Sequence, residues 1–81
     1  MEMDFSQPVL PGETFETSGE FVKTREGQMQ CRVTLRTVFP RTDGYWMCEI
    51  IGVDKPEWEW TLGSNVVFST DFVKEQISRH V

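Results

Sequence analysis

The chain is poor in the side chains that reactive chemistry draws on. Its 81 residues include one histidine and two cysteines. A nucleophile needs an adjacent base, yet His80 is the penultimate residue and is expected to fray, while Cys31 and Cys48 fall on apolar strand faces with no activating neighbour. No CxxC spacing is present to begin a zinc site, and Gly12, Gly19 and Gly27 fit neither a dinucleotide-binding nor a P-loop pattern. Catalysis is therefore not expected, and no metal or cofactor is expected either.

Long apolar runs are also missing. Nothing approaches the roughly 20 residues that cross a bilayer, so no membrane span is expected. Two cysteines are too few for a secreted disulfide scaffold, and the first residues lack a basic segment followed by an apolar run. The expected compartment is a reducing cytoplasm. Positive charge is scarce as well, with 8 Lys and Arg against 13 Asp and Glu for a net charge of -5. That balance argues against a general nucleic-acid binder, whose phosphate contacts need a basic footprint.

What is present is a mixture suited to packing. Hydrophobic residues make up 38% and charged residues 26%, and the ten aromatics (three Trp, one Tyr, six Phe) set the chain apart from a disordered tail. The charge comes in blocks. Glu2, Asp4, Glu13, Glu16 and Glu20 precede Lys23 with no intervening base. Lys23, Arg25, Arg32, Arg36 and Arg41 then face Glu26 alone, and Asp43, Glu49, Asp54, Glu57 and Glu59 follow with only Lys55 between them. Folding can pair such blocks with one another.

Pro8, Pro11 and Gly12 make residues 1–13 an irregular N-terminal arm. Residues 14–81 are expected to form one domain of mostly β-structure. The clearest element is a hairpin, QCRVTLRTVFP and YWMCEIIGV, around Arg41, Thr42, Asp43 and Gly44. Alternation places Cys31, Val33, Leu35 and Phe39 on one face and Arg32, Thr34, Arg36 and Val38 on the other. Setting Pro40 against Tyr45 pairs Phe39 with Trp46, Leu35 with Ile50, Val33 with Gly52, and Arg36 with Glu49 as opposite charges. In that register the two cysteines are not neighbours, and both read as small buried thiols.

Upstream, Glu26-Gly27 is the expected turn of a second hairpin that sets Val22 against Cys31, with Gly27 at positive φ. Downstream, Val66, Val67 and Phe68 read as a short strand. Ser69 or Thr70 then caps a C-terminal helix whose stripe is Phe72, Val73, Ile77 and Val81, with Asp71 at its positive end. The fold class is all-β with a short C-terminal helix, a five-stranded antiparallel meander curled into a small barrel that is Tudor-like by analogy of architecture.

In the run PEWEWTLG at residues 56–63, Pro56 ends the loop after Val53, Glu57 to Leu62 are read as a strand, and Gly63 opens the next turn. With a three-residue loop before that strand, Trp58 and Trp60 enter the core, and each carries about 4 to 6 kcal/mol of burial. A four-residue loop turns them to the outer surface. Glu57 and Glu59 face solvent in the first case.

Tyr45, Met47, Ile51 and Val53, joined by Val38, make the outer sheet face more apolar than a solvated face requires. Either the C-terminal helix covers it with Phe72, Val73 and Ile77, or it meets a partner protein or a second copy of the chain. The leading expectation is a non-catalytic, regulatory protein-interaction module, binding through Tyr45, Met47, Ile51, Val53 and Trp58 with Glu57 and Glu59 as an acidic rim. An alternative is an acidic nucleic-acid mimic, of the kind phages use as inhibitors, presenting Glu13, Glu16 and Glu20 to a DNA- or RNA-binding protein. The third reading is direct nucleic-acid binding by the five basic residues of the central block, against which the net charge stands.

Overall fold

The computed structural model describes residues 9–78. The expectations that fall on residues 1–8, His80 and Val81 lie outside them. Strands β1 (Thr14–Ser18), β4 (Arg32–Pro40), β5 (Tyr45–Val53) and β6 (Asn65–Ser69) form an antiparallel sheet in the order β1-β4-β5-β6. Between β1 and β4 the chain makes a 3-10 turn, Gly19–Phe21, and a two-stranded ribbon of β2 (Lys23–Thr24) and β3 (Gly27–Gln28). Helix α1 (Thr70–Ser78) follows β6 directly. Among the described residues, the expected five-stranded barrel is thus replaced by six strands, four in an open sheet and two in a ribbon. The physical reason lies in β1, which pairs with β4 instead of its successor in sequence and leaves the ribbon outside the sheet.

The hairpin β4–β5 keeps the expected register at its centre, with Leu35 opposite Ile50 and Arg36 opposite Glu49. On either side one residue is left without a partner, Val38 on β4 and Ile51 on β5. Each extra residue moves the following side chain to the opposite face. Phe39 therefore pairs with Met47 and lies outward, where the sequence places it inward against Trp46. Val33 pairs with Val53 instead of Gly52, which turns Val53 from the outer face to the core side. Gly44 has the positive φ of 85° that closes the loop, and Arg41 N donates to Tyr45 O at 2.7 Å.

In the ribbon the turn residues are Arg25 and Glu26, so Lys23 pairs with Gln28 and Met29 N donates to Val22 O. Val22 is thus set against Met29, and Cys31 is displaced by two positions from the pairing expected for it. Gly27 does take positive φ, 99°. Thr24 Oγ1 ties the turn by accepting from Glu26 N and donating to Gly27 O. Val22 and Met29 are both buried, so the ribbon contributes to the core although its strands lie outside the sheet.

The core fills the inner face of the sheet. Phe15, Val33, Leu35, Trp46, Cys48, Ile50 and Phe68 come from the strands, with Val22 and Met29 from the ribbon and Val73 from α1. Helix α1 starts where Ser69 Oγ accepts from Phe72 N at 3.2 Å, the capping expected from sequence, with Asp71 in the first turn. Phe72 stacks on Phe68 at 4.8 Å between ring centres, and Phe21 meets Phe72 edge-on at 5.2 Å. The helix therefore packs on the inner face. Phe72, Val73 and Ile77 belong to the core and do not cover the outer face.

The chain from Val9 to Glu13 is irregular and tied to β4. Thr37 Oγ1 accepts from Glu13 N at 2.9 Å and donates to Leu10 O at 2.6 Å, while Gly12 N donates to Thr37 O at 2.7 Å. Val9 is buried beside the core. A buried threonine thus serves as the fastening of the segment.

Candidate interaction face

The outer face divides into a charged and an apolar half. Across β4, β5 and β6 the residues Phe39, Met47 and Val67 are register partners and form one apolar row. Tyr45 lies two residues along β5 from Met47, on the same face. Phe39 is 48%, Tyr45 44% and Val67 38% exposed, and Met47 is half-buried between its neighbours. On the β1 side, Arg36 pairs with Glu49 and Arg32 with Glu16. Ile51 is exposed at its bulge, closer to the charged half, since Thr34 and Gly52 flank it in the register.

The tryptophan segment does not form a strand. Pro56–Thr61 is a 3-10 helix with Pro56 in its first turn, where a missing N–H costs nothing, and Glu57 and Glu59 near its positive end. Strand parity therefore decides nothing here. With a period near three, Trp58 and Thr61 share the inward side, and Thr61 Oγ1 donates to Trp58 O at 2.6 Å. Trp58 packs partly against the core, whereas Trp60 is 43% exposed. Trp60 leans on Trp58 at 6.0 Å, and the Arg25 guanidinium stands 4.9 Å above its ring. Glu57 and Glu59 are exposed.

The residues assigned to partner binding from sequence are thus dispersed. Tyr45 and Met47 remain together on the outer face, Ile51 sits on its bulge, Val53 and Trp58 turn toward the core, and Glu57 and Glu59 belong to the 3-10 helix. Phe39 and Val67 complete the apolar row and were missed. Val67 carried a signal, since in the strand VVF one of two adjacent valines must face away from the core. Phe39 carried none, because its side depends on the bulge.

No known protein family, curated protein or solved structure matches this chain. The acidic candidates are likewise separated. Glu13 precedes β1 and its carboxylate accepts from Leu10 N at 2.8 Å, Glu16 pairs with Arg32 on the sheet, and Glu20 stands in the 3-10 turn. They do not form a row along one strand. Of the basic block, Arg32, Arg36 and Arg41 are each engaged with a carboxylate, Arg41 with Asp43 at 3.1 Å. Among the described residues no helix is long and apolar enough to cross a membrane.

Cys48 is buried, whereas Cys31, just before β4, is only partly so, and both are free thiols. Burial pushes the Cys48 thiol up to about 11. Cys31 is raised too, by its partial burial and then by the Asp54 carboxylate. Both shifts run against the thiolate that nucleophilic chemistry needs. The sign of the linked stability follows. An unfolded chain releases the Cys48 proton near its ordinary 9.0, while the folded chain holds it to about 11. Stability from this group is complete below about 9 and is lost as pH rises toward 11. Urea melts of Cys48→Ala and wild type should accordingly converge over that interval. Parallel curves would show that Cys48 is not the titrating group.

Proposed function

We propose that the chain is a non-catalytic module that binds another protein through the apolar half of its outer sheet face. One observation carries the reading: α1 packs on the opposite face, so the row of Phe39, Met47 and Val67 with Tyr45 is left uncovered by any described residue. Interface centres are rich in aromatics and methionine and poor in charge, as this half is. The paired arginines and carboxylates of Glu16, Arg32, Arg36 and Glu49 supply a polar border. The acidic-mimic and nucleic-acid readings find less support, since their charged residues are dispersed or paired.

The test is capture of a partner from lysate by the tagged full chain at low and at high salt, with nuclease present. Retention at high salt is expected, because burying apolar area does not depend on screening. A Phe39→Ser, Tyr45→Ser double variant should weaken binding at least about tenfold. Both side chains being exposed, its stability should change by no more than about 1 kcal/mol. Partner binding that survives the double variant, or that disappears at high salt, would refute the proposal.

A further inference from the structure

We infer that two copies of the chain join edge to edge through β6, antiparallel, about a two-fold axis at Val67, to make one eight-stranded sheet. The direction of the backbone groups supplies the first argument. Ser64 O accepts from Ile50 N at 2.9 Å and Thr70 N donates to Gly44 O at 3.0 Å, so the even-numbered residues face β5. Pairing between them is regular, with no register shift. By strand alternation Asn65 and Val67 then direct their N–H and C=O groups away from the sheet. No described residue outside β6 bonds to those groups.

The second argument is that this edge lacks three devices that commonly guard one. Asn65–Ser69 contains no charge, no proline and no bulge. It lies within the uncharged run from Trp60 to Thr70, in a chain that is otherwise 26% charged. Two copies, each of net charge -5, thus meet along a neutral line. The other edge of the sheet differs. Strand β1 carries Glu16 and is flanked by Glu13 and Glu20, so pairing two β1 edges would bring like charges together. Joining β1 to β6 would also leave an edge open at each end and propagate, whereas β6 with β6 closes.

Centring the axis on Val67 overlaps all five residues of the strand. Val67 then faces Val67 of the second copy as a hydrogen-bonded pair. The two rows of Phe39, Met47 and Val67 become continuous across six strands, roughly 24 Å at the usual strand spacing. Only the use of that joined row as a binding face rests on the proposed function, and the pairing does not. A five-residue ladder is a small interface, so the dimer belongs at the weak end of specific assemblies.

Sedimentation equilibrium of the full chain from about 1 μM to about 1 mM tests it. The apparent mass should double across the range. Val67→Lys and Val67→Glu should each stay monomeric, since a two-fold axis sets each introduced charge against its own copy, and an equimolar mixture of the two should restore the dimer. The Phe39→Ser, Tyr45→Ser variant should remain dimeric while losing its protein partner, which separates failure of one proposal from failure of the other. A wild type that is monomeric throughout overturns the inference. So does a dimer that persists in both Val67 variants, or one lost only in the double variant. Should the Val67 variants misfold, hydrogen exchange of wild type decides. The Val67 amide, with no acceptor among the described residues of its own chain, must exchange more slowly as concentration rises, and exchange independent of concentration overturns the pairing.

Discussion

Gly19→Ala is expected to remove about 3 kcal/mol or more of folding stability. A Cβ at this buried position would lie 2.5 Å from the carbonyl oxygen of Cys31, 2.6 Å from that of Met29 and 2.8 Å from Met29 Cβ. Two of these neighbours are backbone and cannot swing aside. Gly19 N also donates to Cys31 O at 2.7 Å, which fastens the chain after β1 to the chain before β4. Relief must therefore come from separating those segments, with Met29 drawn out of the core. A domain of this size has on the order of 5 kcal/mol in total, so the variant should keep about 2 kcal/mol at most and unfold below about half the urea concentration that wild type needs. A urea titration reads the result directly, and a loss below about 0.5 kcal/mol would show that the close approach at Gly19 is not maintained in solution.

Phe68→Ala should cost about 3 to 5 kcal/mol. Phe68 is where sheet and helix meet. It is paired with Trp46 on the neighbouring strand β5, meets Phe15 edge-on at 6.2 Å and stacks with Phe72 of α1 at 4.8 Å. Truncation leaves a hole beneath the helix that small shifts cannot fill. Phe68→Leu retains most of the volume and should cost less than about 2 kcal/mol, so the difference between the two variants isolates the cavity. Equal costs would mean that the ring does not support the helix.

The parts of this architecture legible in the sequence are those set by short-range pattern. Leu35 opposite Ile50 and Arg36 opposite Glu49 follow from matching apolar alternation with a charge pair in one register. Gly27 at positive φ and the Ser69 cap follow from what those side chains can do locally. Three features were not legible. The bulges at Val38 and Ile51 leave no compositional mark, yet they decide the sides of Phe39 and Val53. The alternation of Trp58, Glu59 and Trp60 resembles a strand, and Pro56 was assigned to a loop when it opens a 3-10 helix. The side of the sheet taken by α1 is a tertiary choice, made where Phe72 finds Phe68 and Phe21. The candidate face was visible as an apolar surplus around Tyr45 and Met47. Its outline required the bulge.

The position of α1 bears on how the molecule comes apart. The central hairpin closes over four residues, 41–44, whereas β1 reaches β4 only across residues 19–31. Closing the longer loop costs about 1 kcal/mol more in chain entropy, so the hairpin can form first and the outer strands arrive later and separately. An open sheet assembled in that way would ordinarily fray strand by strand. Here one helix rests on β1, β5 and β6 together, bridging strands at opposite edges. Neither edge can leave without uncovering Val73 and Phe72. The helix makes two independent departures into one event, and a sheet open at both ends is expected to unfold, over the described residues, as a single cooperative unit.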